Sequence, residues 1–125
     1  MRLVLDAGAL IAIERGDRDV VGRLRLARLR DDDVVTHGGV VGQVWRGGAR
    51  QARLARALRG VEVVGLDEPL GRRAGALLAV TGGRDVVDGA VAALAGDGDV
   101  ILTSDPDDLL PLVVASGAHA ELHRP

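Results

Sequence analysis

The chain opens on a short apolar run, Arg2 to Leu5, which stops at Asp6; Ala7, Leu10, Ile11 and Glu14 then fall at helical spacing. An apolar run followed by a shift to a period of 3.6 predicts a strand and then a helix, with Asp6 at the strand's carboxyl end. Arg18 to Arg30 alternates Val21, Leu24, Leu26 and Leu29 with arginines and predicts a second helix, closed by the turn-forming Asp31, Asp32 and Asp33. Val34 to Thr36 predicts a brief strand. From Val40 onward Val41, Val44 and Trp45 predict a helix that bends or breaks at Gly47 and Gly48 and resumes through Leu54 and Leu58.

The same alternation continues to the end. Val61 to Leu66 predicts a strand, and Asp67, Glu68 and Pro69 open a helix that runs through Leu77 and Leu78 and stops at Gly82 and Gly83. Asp85 to Ala95 is rich in Ala and Val at helical spacing, followed by the turn Gly96-Asp97-Gly98 and a buried strand from Val100 to Thr103. Asp105 follows that strand directly. Pro106 to Ala115 predicts a helix with its proline at the start, and Ala118 to His123 a last edge strand. Strands separated by helices throughout predict an α/β fold with a parallel sheet covered on both faces. With no repeat, low-complexity tract or linker, residues 1–125 read as one domain.

Composition narrows the chemistry. Hydrophobic residues make up 47% of the chain but aromatic ones only 1%, so the core is built from Val, Leu, Ile and Ala, and Trp45 stands alone. Nucleic-acid recognition by aromatic stacking is thereby disfavoured. The absence of cysteine removes disulfides, thiolate metal sites and cysteine nucleophiles, and fits a reducing, cytoplasmic compartment. The first apolar run is too short for a membrane span and is interrupted by Asp6 and Glu14, so neither a signal peptide nor an anchor is expected. A net charge of −2 argues against wholesale phosphate binding, although arginines fill Arg46 to Arg59 while aspartates gather near Asp85 and Asp105. Lysine is absent and Arg supplies all 16 Lys-or-Arg positions, which fits phosphate binding by guanidinium forks but fits a coding bias better.

The aspartates carry the argument. In open parallel sheets ligands bind beyond the carboxyl ends of the strands, and Asp6 and Asp105 follow two different predicted strands. Asp85 and Asp88 lie one helical turn apart, so a helix starting beside that edge aims both at one point. Unneutralised carboxylates in one cleft repel one another unless a hard cation sits among them, and Mg²⁺ or Mn²⁺ prefers such oxygen ligands. Against this stands a structural role for each: Asp85 is also a good N-cap, Asp88 suits a capping box, and Asp105, Asp107 and Asp108 suit the first turn of the next helix. Capping is the favoured reading for Asp108. Asp6, ending an apolar strand with no cation nearby in sequence, is favoured as a site residue.

At this point four segments resemble, in order, the motifs of PIN-domain nucleases, and in particular the VapC toxins of toxin–antitoxin pairs. They are Val4-Leu5-Asp6-Ala7-Gly8-Ala9-Leu10-Ile11, Val41-Gly42-Gln43-Val44-Trp45-Arg46, Asp85-Val86-Val87-Asp88-Gly89-Ala90 and Leu102-Thr103-Ser104-Asp105. The resemblance implies a PIN-like three-layer sandwich around a parallel sheet of about five strands. It implies a ribonuclease using magnesium or manganese held by Asp6, Asp88 and Asp105, with Asp85 adjacent and Thr103 assisting. It also implies an RNA substrate, a VapB-like antitoxin that occupies the active-site groove, and a homodimer. The chain departs from the family where the second motif has Gln43 in place of a glutamate, which lowers the ligand charge. The alternative reading is therefore an inactive PIN module that binds RNA or an antitoxin without cutting. The polar residue that usually follows the first aspartate is replaced by Ala7-Gly8.

Arg46, Arg50 and Arg53 recur at spacings of four and three, predicting one basic helical stripe. It serves equally as a contact to RNA phosphates, as a solvated face or as a dock for an acidic antitoxin tail. His37, His119 and His123 have no zinc-ligand spacing, and for His37, in a predicted strand-to-helix turn, local hydrogen bonding is the expected role. No nucleophile elbow, dinucleotide fingerprint or phosphate loop occurs. A phosphoacceptor signalling domain also uses strand-end aspartates, but relies on a lysine that this chain lacks.

Overall fold

A computed structural model describes residues 1–125. The elements are β1 (Arg2–Leu5), α1 (Ala7–Arg15), α2 (Arg18–Leu29), β2 (Asp33–His37), α3 (Gly38–Val44), a 3₁₀ turn (Ala49–Gln51), α4 (Ala52–Leu58), β3 (Glu62–Val64), α5 (Glu68–Thr81), α6 (Val86–Leu94), β4 (Val100–Leu102), α7 (Pro106–Ser116) and β5 (Glu121–His123). The five strands form one sheet in the order β3-β2-β1-β4-β5, and every pairing is parallel. This is the α/β sandwich that the alternation of strand and helix patterns predicts.

The chain winds from β1 outward through β2 to β3, then crosses back to β4 on the other side of β1 and outward again to β5. Right-handed crossovers in opposite directions put their helices on opposite faces. Accordingly α1 packs on α2, α3 and α4, whereas α5, α6 and α7 pack on one another, with α6 lying against β1 and β2. The reversal falls between β1 and β4, the place where open parallel sheets form a binding crevice beyond the carboxyl ends of their strands.

The core is aliphatic. Leu3, Val4 and Leu5 of β1 and Val100, Ile101 and Leu102 of β4 are buried, as are Leu10, Leu54 and Leu109 from three of the helices. Each such leucine or isoleucine contributes about 1.5–3 kcal/mol relative to an exposed one. Helix α6 is buried from Gly89 through Leu94, and a Cβ on Gly89 would stand 3.1 Å from the Ala74 carbonyl, so the glycine lets α5 and α6 approach closely. Asp17 and Asp67 cap α2 and α5 through backbone N–H groups, and Gly82 ends α5 with φ 73°.

The differences from the sequence reading lie mostly at element ends. Helix α3 starts at Gly38, two residues before the expected Val40, because the His37 ring caps it. The outer strands are shorter than their apolar patterns: β3 pairs only from Glu62 to Val64 and β5 only from Glu121 to His123, each with a neighbour on one side alone. The predicted arginine stripe does not form. Gly47 and Gly48 take φ 82° and 89° and break the helix, so Arg46 follows α3 while Arg50 and Arg53 belong to the next turn and α4.

Candidate active site

The crevice between β1 and β4 is built from their carboxyl ends. The Asp6 N–H donates to the Leu102 carbonyl at 3.0 Å, extending the β1–β4 ladder by one bond and fixing the Asp6 backbone at the topological switch. Asp6 stands at the N-cap of α1, yet its carboxylate caps nothing. It accepts instead from the Thr103 hydroxyl at 2.8 Å, and the same hydroxyl accepts from the Asp105 N–H at 3.0 Å. Thr103, itself fully buried, therefore ties the first and fourth motifs together.

Asp105 is exposed at the N-cap of α7, and its side chain makes no capping bond. Asp85 does cap: its Oδ1 accepts from the N–H groups of Val87 at 2.9 Å and Asp88 at 3.2 Å. The structural role weighed for Asp85 is thus realised, while the carboxylate of Asp88, one turn later and half-buried, has no hydrogen-bond partner. Its carboxyl is pushed up to about 6, first by burial and then by the negative charges of Asp85, Asp6, Asp108 and Asp105. Asp108, read from the sequence as a helix-start acid, also lines with Asp85 and Asp88 a cleft of about 420 Å³ between α5, α6 and α7.

None of these five acids has an ion-pair partner. The contrast with Asp99 is direct. Both Asp6 and Asp99 are 5% exposed, but Asp99, at the opposite edge of the sheet, pairs with the Arg2 guanidinium and accepts from two backbone N–H groups. Neutralisation is built in at one edge and absent at the other. At the same time, no three Asp, Glu or His side chains are gathered closely enough to hold a metal ion. The acids share one field without meeting at one point. Their oxygen chemistry fits a hard divalent cation, and closing around one requires side-chain rotation.

Gln43 lies exposed on α3. The buried amide is instead Gln51, which accepts from the Arg46 and Gly47 N–H groups at 2.8 Å and donates to Glu14 at 2.6 Å and to the Val44 carbonyl at 2.9 Å. It pins the loop after α3 onto α1, and nothing in its arginine-rich surroundings signals burial. Arg46 folds its guanidinium onto the Gly42 and Trp45 carbonyls. Arg53 joins Arg25, Arg28 and Arg56 around a groove of about 590 Å³, with Ile13, Val21, Leu24 and Ala57 also lining it. The sequence spacing missed this arrangement because half of its arginines come from α2.

His37 is fully buried beside the crevice. Its Nδ1 accepts from the Gly39 N–H at 3.0 Å, which places the ring proton on Nε2, 3.0 Å from the Val87 carbonyl. Burial lowers its pKa from 6.5, outweighing the bond to Val87 and the charge of Asp6, which both raise it.

No protein-family model matches the chain, and no match was found among curated proteins. Among solved structures, the chain is similar over 100% of its own length and 99% of the other to a chain in the crystal structure of VapBC2 from Rickettsia felis bound to a DNA fragment from their promoter. The TM-score is 0.69 at 13% identity, a likeness of fold in which most side chains differ. The PIN-like fold expected from the four motifs is the fold found. No helix is long and apolar enough to cross a membrane.

Proposed function

We propose that this chain is a divalent-cation-dependent endoribonuclease of the VapC toxin kind, neutralised by a VapB-like antitoxin. The observation that carries this reading is a set of acids at the switch point with no cationic partner, in a chain that pairs its other buried aspartate with Arg2. Asp6, Asp88 and Asp105 are the residues that would hold magnesium or manganese, with Asp85 and Asp108 adding negative potential. Such a cation supplies shielding of phosphodiester oxygens and acidifies an attacking water. The protein's own part is to orient. Thr103 fixes Asp6 and the Asp105 backbone through one hydroxyl, and without a cation burial and the neighbouring negative charges push the Asp88 carboxyl up to about 6.

Beyond the acids, where the inhibiting part of the antitoxin is expected, the arginine-rimmed groove between α1, α2 and α4 suits a further acidic, amphipathic segment of the same antitoxin, since its apolar lining and four guanidinium groups offer both contacts that such a segment needs. The solved neighbour contains both VapB and VapC, which supports a partner of that kind. A homodimer in the cytoplasm completes the proposal.

A second reading, an inactive module that binds without cutting, is favoured by the uncharged Gln43 and by the absence of a ready three-ligand set. The two are separated by cleavage of a structured RNA in Mg²⁺ or Mn²⁺. The nuclease reading expects cation-dependent cutting by the wild type that Asp6→Asn abolishes, and Gln43→Glu then raises the rate modestly. A wild type that is inert but becomes active as Gln43→Glu supports the second reading. Cutting by Asp6→Asn at the wild-type rate overturns the first.

A further inference from the structure

His37 belongs to none of the motifs, yet its ring occupies a junction of three elements. It ends β2, caps α3 and reaches the first turn of α6. A side chain with no exposed surface and two polar atoms is costly unless both are satisfied. Here both are, and by groups with different consequences. The Gly39 N–H on Nδ1 is a local bond across two residues, as the sequence predicts. The bond from Nε2 to the Val87 carbonyl spans 50 positions and lands on the residue immediately before Asp88.

That second bond matters because Asp88 has no anchor of its own. Asp85 is held by its capping bonds, and Asp6 by Thr103, but the Asp88 carboxylate has no hydrogen-bond or ion-pair partner. Its position follows from where the first turn of α6 sits. Beyond the β1–β2 contacts of that helix, the His37 ring is the side-chain tie between this turn and the carboxyl edge of the sheet. Space at the junction is tight as well: a Cβ on Gly39 would stand 2.8 Å from the ring's Cε1, so this glycine accommodates the imidazole.

We propose that His37 is a positioning residue, which holds the first turn of α6 through the Val87 carbonyl and so sets the distance of Asp88 from Asp6 and Asp105. The proposal rests on the nuclease reading for its consequence, cation binding, and on the hydrogen bond alone for its mechanism. A ring that merely fills core volume would have the same burial but no effect specific to the Nε2 side.

The two ring nitrogens are separable by substitution. In His37→Asn the side-chain oxygen reaches the Gly39 N–H but nothing reaches Val87, whereas in His37→Gln the amide nitrogen extends to the Val87 carbonyl. Two measurements on the full chain read the result: hydrogen exchange of the Gly89 and Ala90 amides in α6, without cation, and the affinity for Mn²⁺ by calorimetry. His37→Asn is expected to speed exchange at those amides and to weaken Mn²⁺ binding by about 10- to 100-fold, the usual effect of losing a group that orients a metal ligand. His37→Gln is expected to restore both to within a few-fold of wild type. Unchanged exchange in His37→Asn overturns the proposal, as does faster exchange with unchanged Mn²⁺ affinity, or a loss of both that Gln fails to restore while the variant remains folded. A wild type that binds no Mn²⁺ defeats the nuclease reading instead, and the exchange of α6 then decides the positioning role by itself.

Discussion

Asp88 is the residue whose ionisation depends most on its surroundings, and the direction has a measurable consequence. Its folded value of about 6 lies above the ordinary carboxyl value of 3.8, so the folded protein binds this proton more tightly than the unfolded chain. The stabilisation is complete below about pH 4 and is lost as pH rises through about 6. Asp88→Asn keeps the neutral form at every pH, so the cation-free variant is expected to be more stable than wild type above pH 7 and nearly equal at pH 4. The side chain is only partly buried, so the gap is on the order of 1 kcal/mol after screening. Thermal unfolding from pH 4 to 8 in chelator checks this, and saturating Mn²⁺ should reverse the order by stabilising only the wild type. His37 acts in the opposite sense, since a lowered pKa gives stability present above 6.5 and lost as pH falls, and comparing the two proteins cancels it. At this scale the sequence placed Asp6 and Asp105 after the two strands they follow, because an acid after an apolar run is conspicuous. It left Asp85 undecided and gave no sign of Gln51, whose burial comes from loop closure over α1 rather than from any local pattern.

Elements were the most legible level, because aliphatic periodicity and glycine or aspartate at helix ends determine them locally. What escaped was contact between elements. The segment carrying Asp105 approaches the start of α1 so closely that a Cβ on Gly8 would collide with the Ser104 hydroxyl and stand 2.9 Å from the Ser104 backbone nitrogen. Gly8, which in sequence reads only as part of a missing polar position, is therefore a spacing device between the first and fourth motifs. Gly8→Ala is expected to cost about 1–3 kcal/mol through overpacking and, by pushing the Asp105 segment away, to weaken divalent-cation binding. Gly22→Ala in α2 is the control: nothing lies within 4 Å of its Cβ position, and helix propensity favours alanine by about 1 kcal/mol. Chemical denaturation of both variants distinguishes a steric constraint at residue 8 from a general intolerance of alanine. The arginine stripe failed at this same scale, since two left-handed glycines turned an apparent helix face into parts of separate elements.

For the whole molecule, the parallel order β3-β2-β1-β4-β5 determines where chemistry can occur, because it leaves one reversal beside β1 and brings acids from three segments to its rim. The sequence predicted the parallel sheet from alternation, and the family resemblance supplied the overall architecture. Neither reveals how far apart the carboxylates stand without a counterion, because that distance reflects a balance of repulsion and rotamer freedom that has no local signature. The most direct measurement is therefore a crystal grown at neutral pH, soaked in Mn²⁺ and examined by anomalous scattering. The account predicts a peak at the β1–β4 crevice with oxygen ligands from Asp6, Asp88 and Asp105, their side chains rotated inward relative to the cation-free form. Saturating Mn²⁺ that leaves this crevice empty, with the three carboxylates still apart, contradicts it.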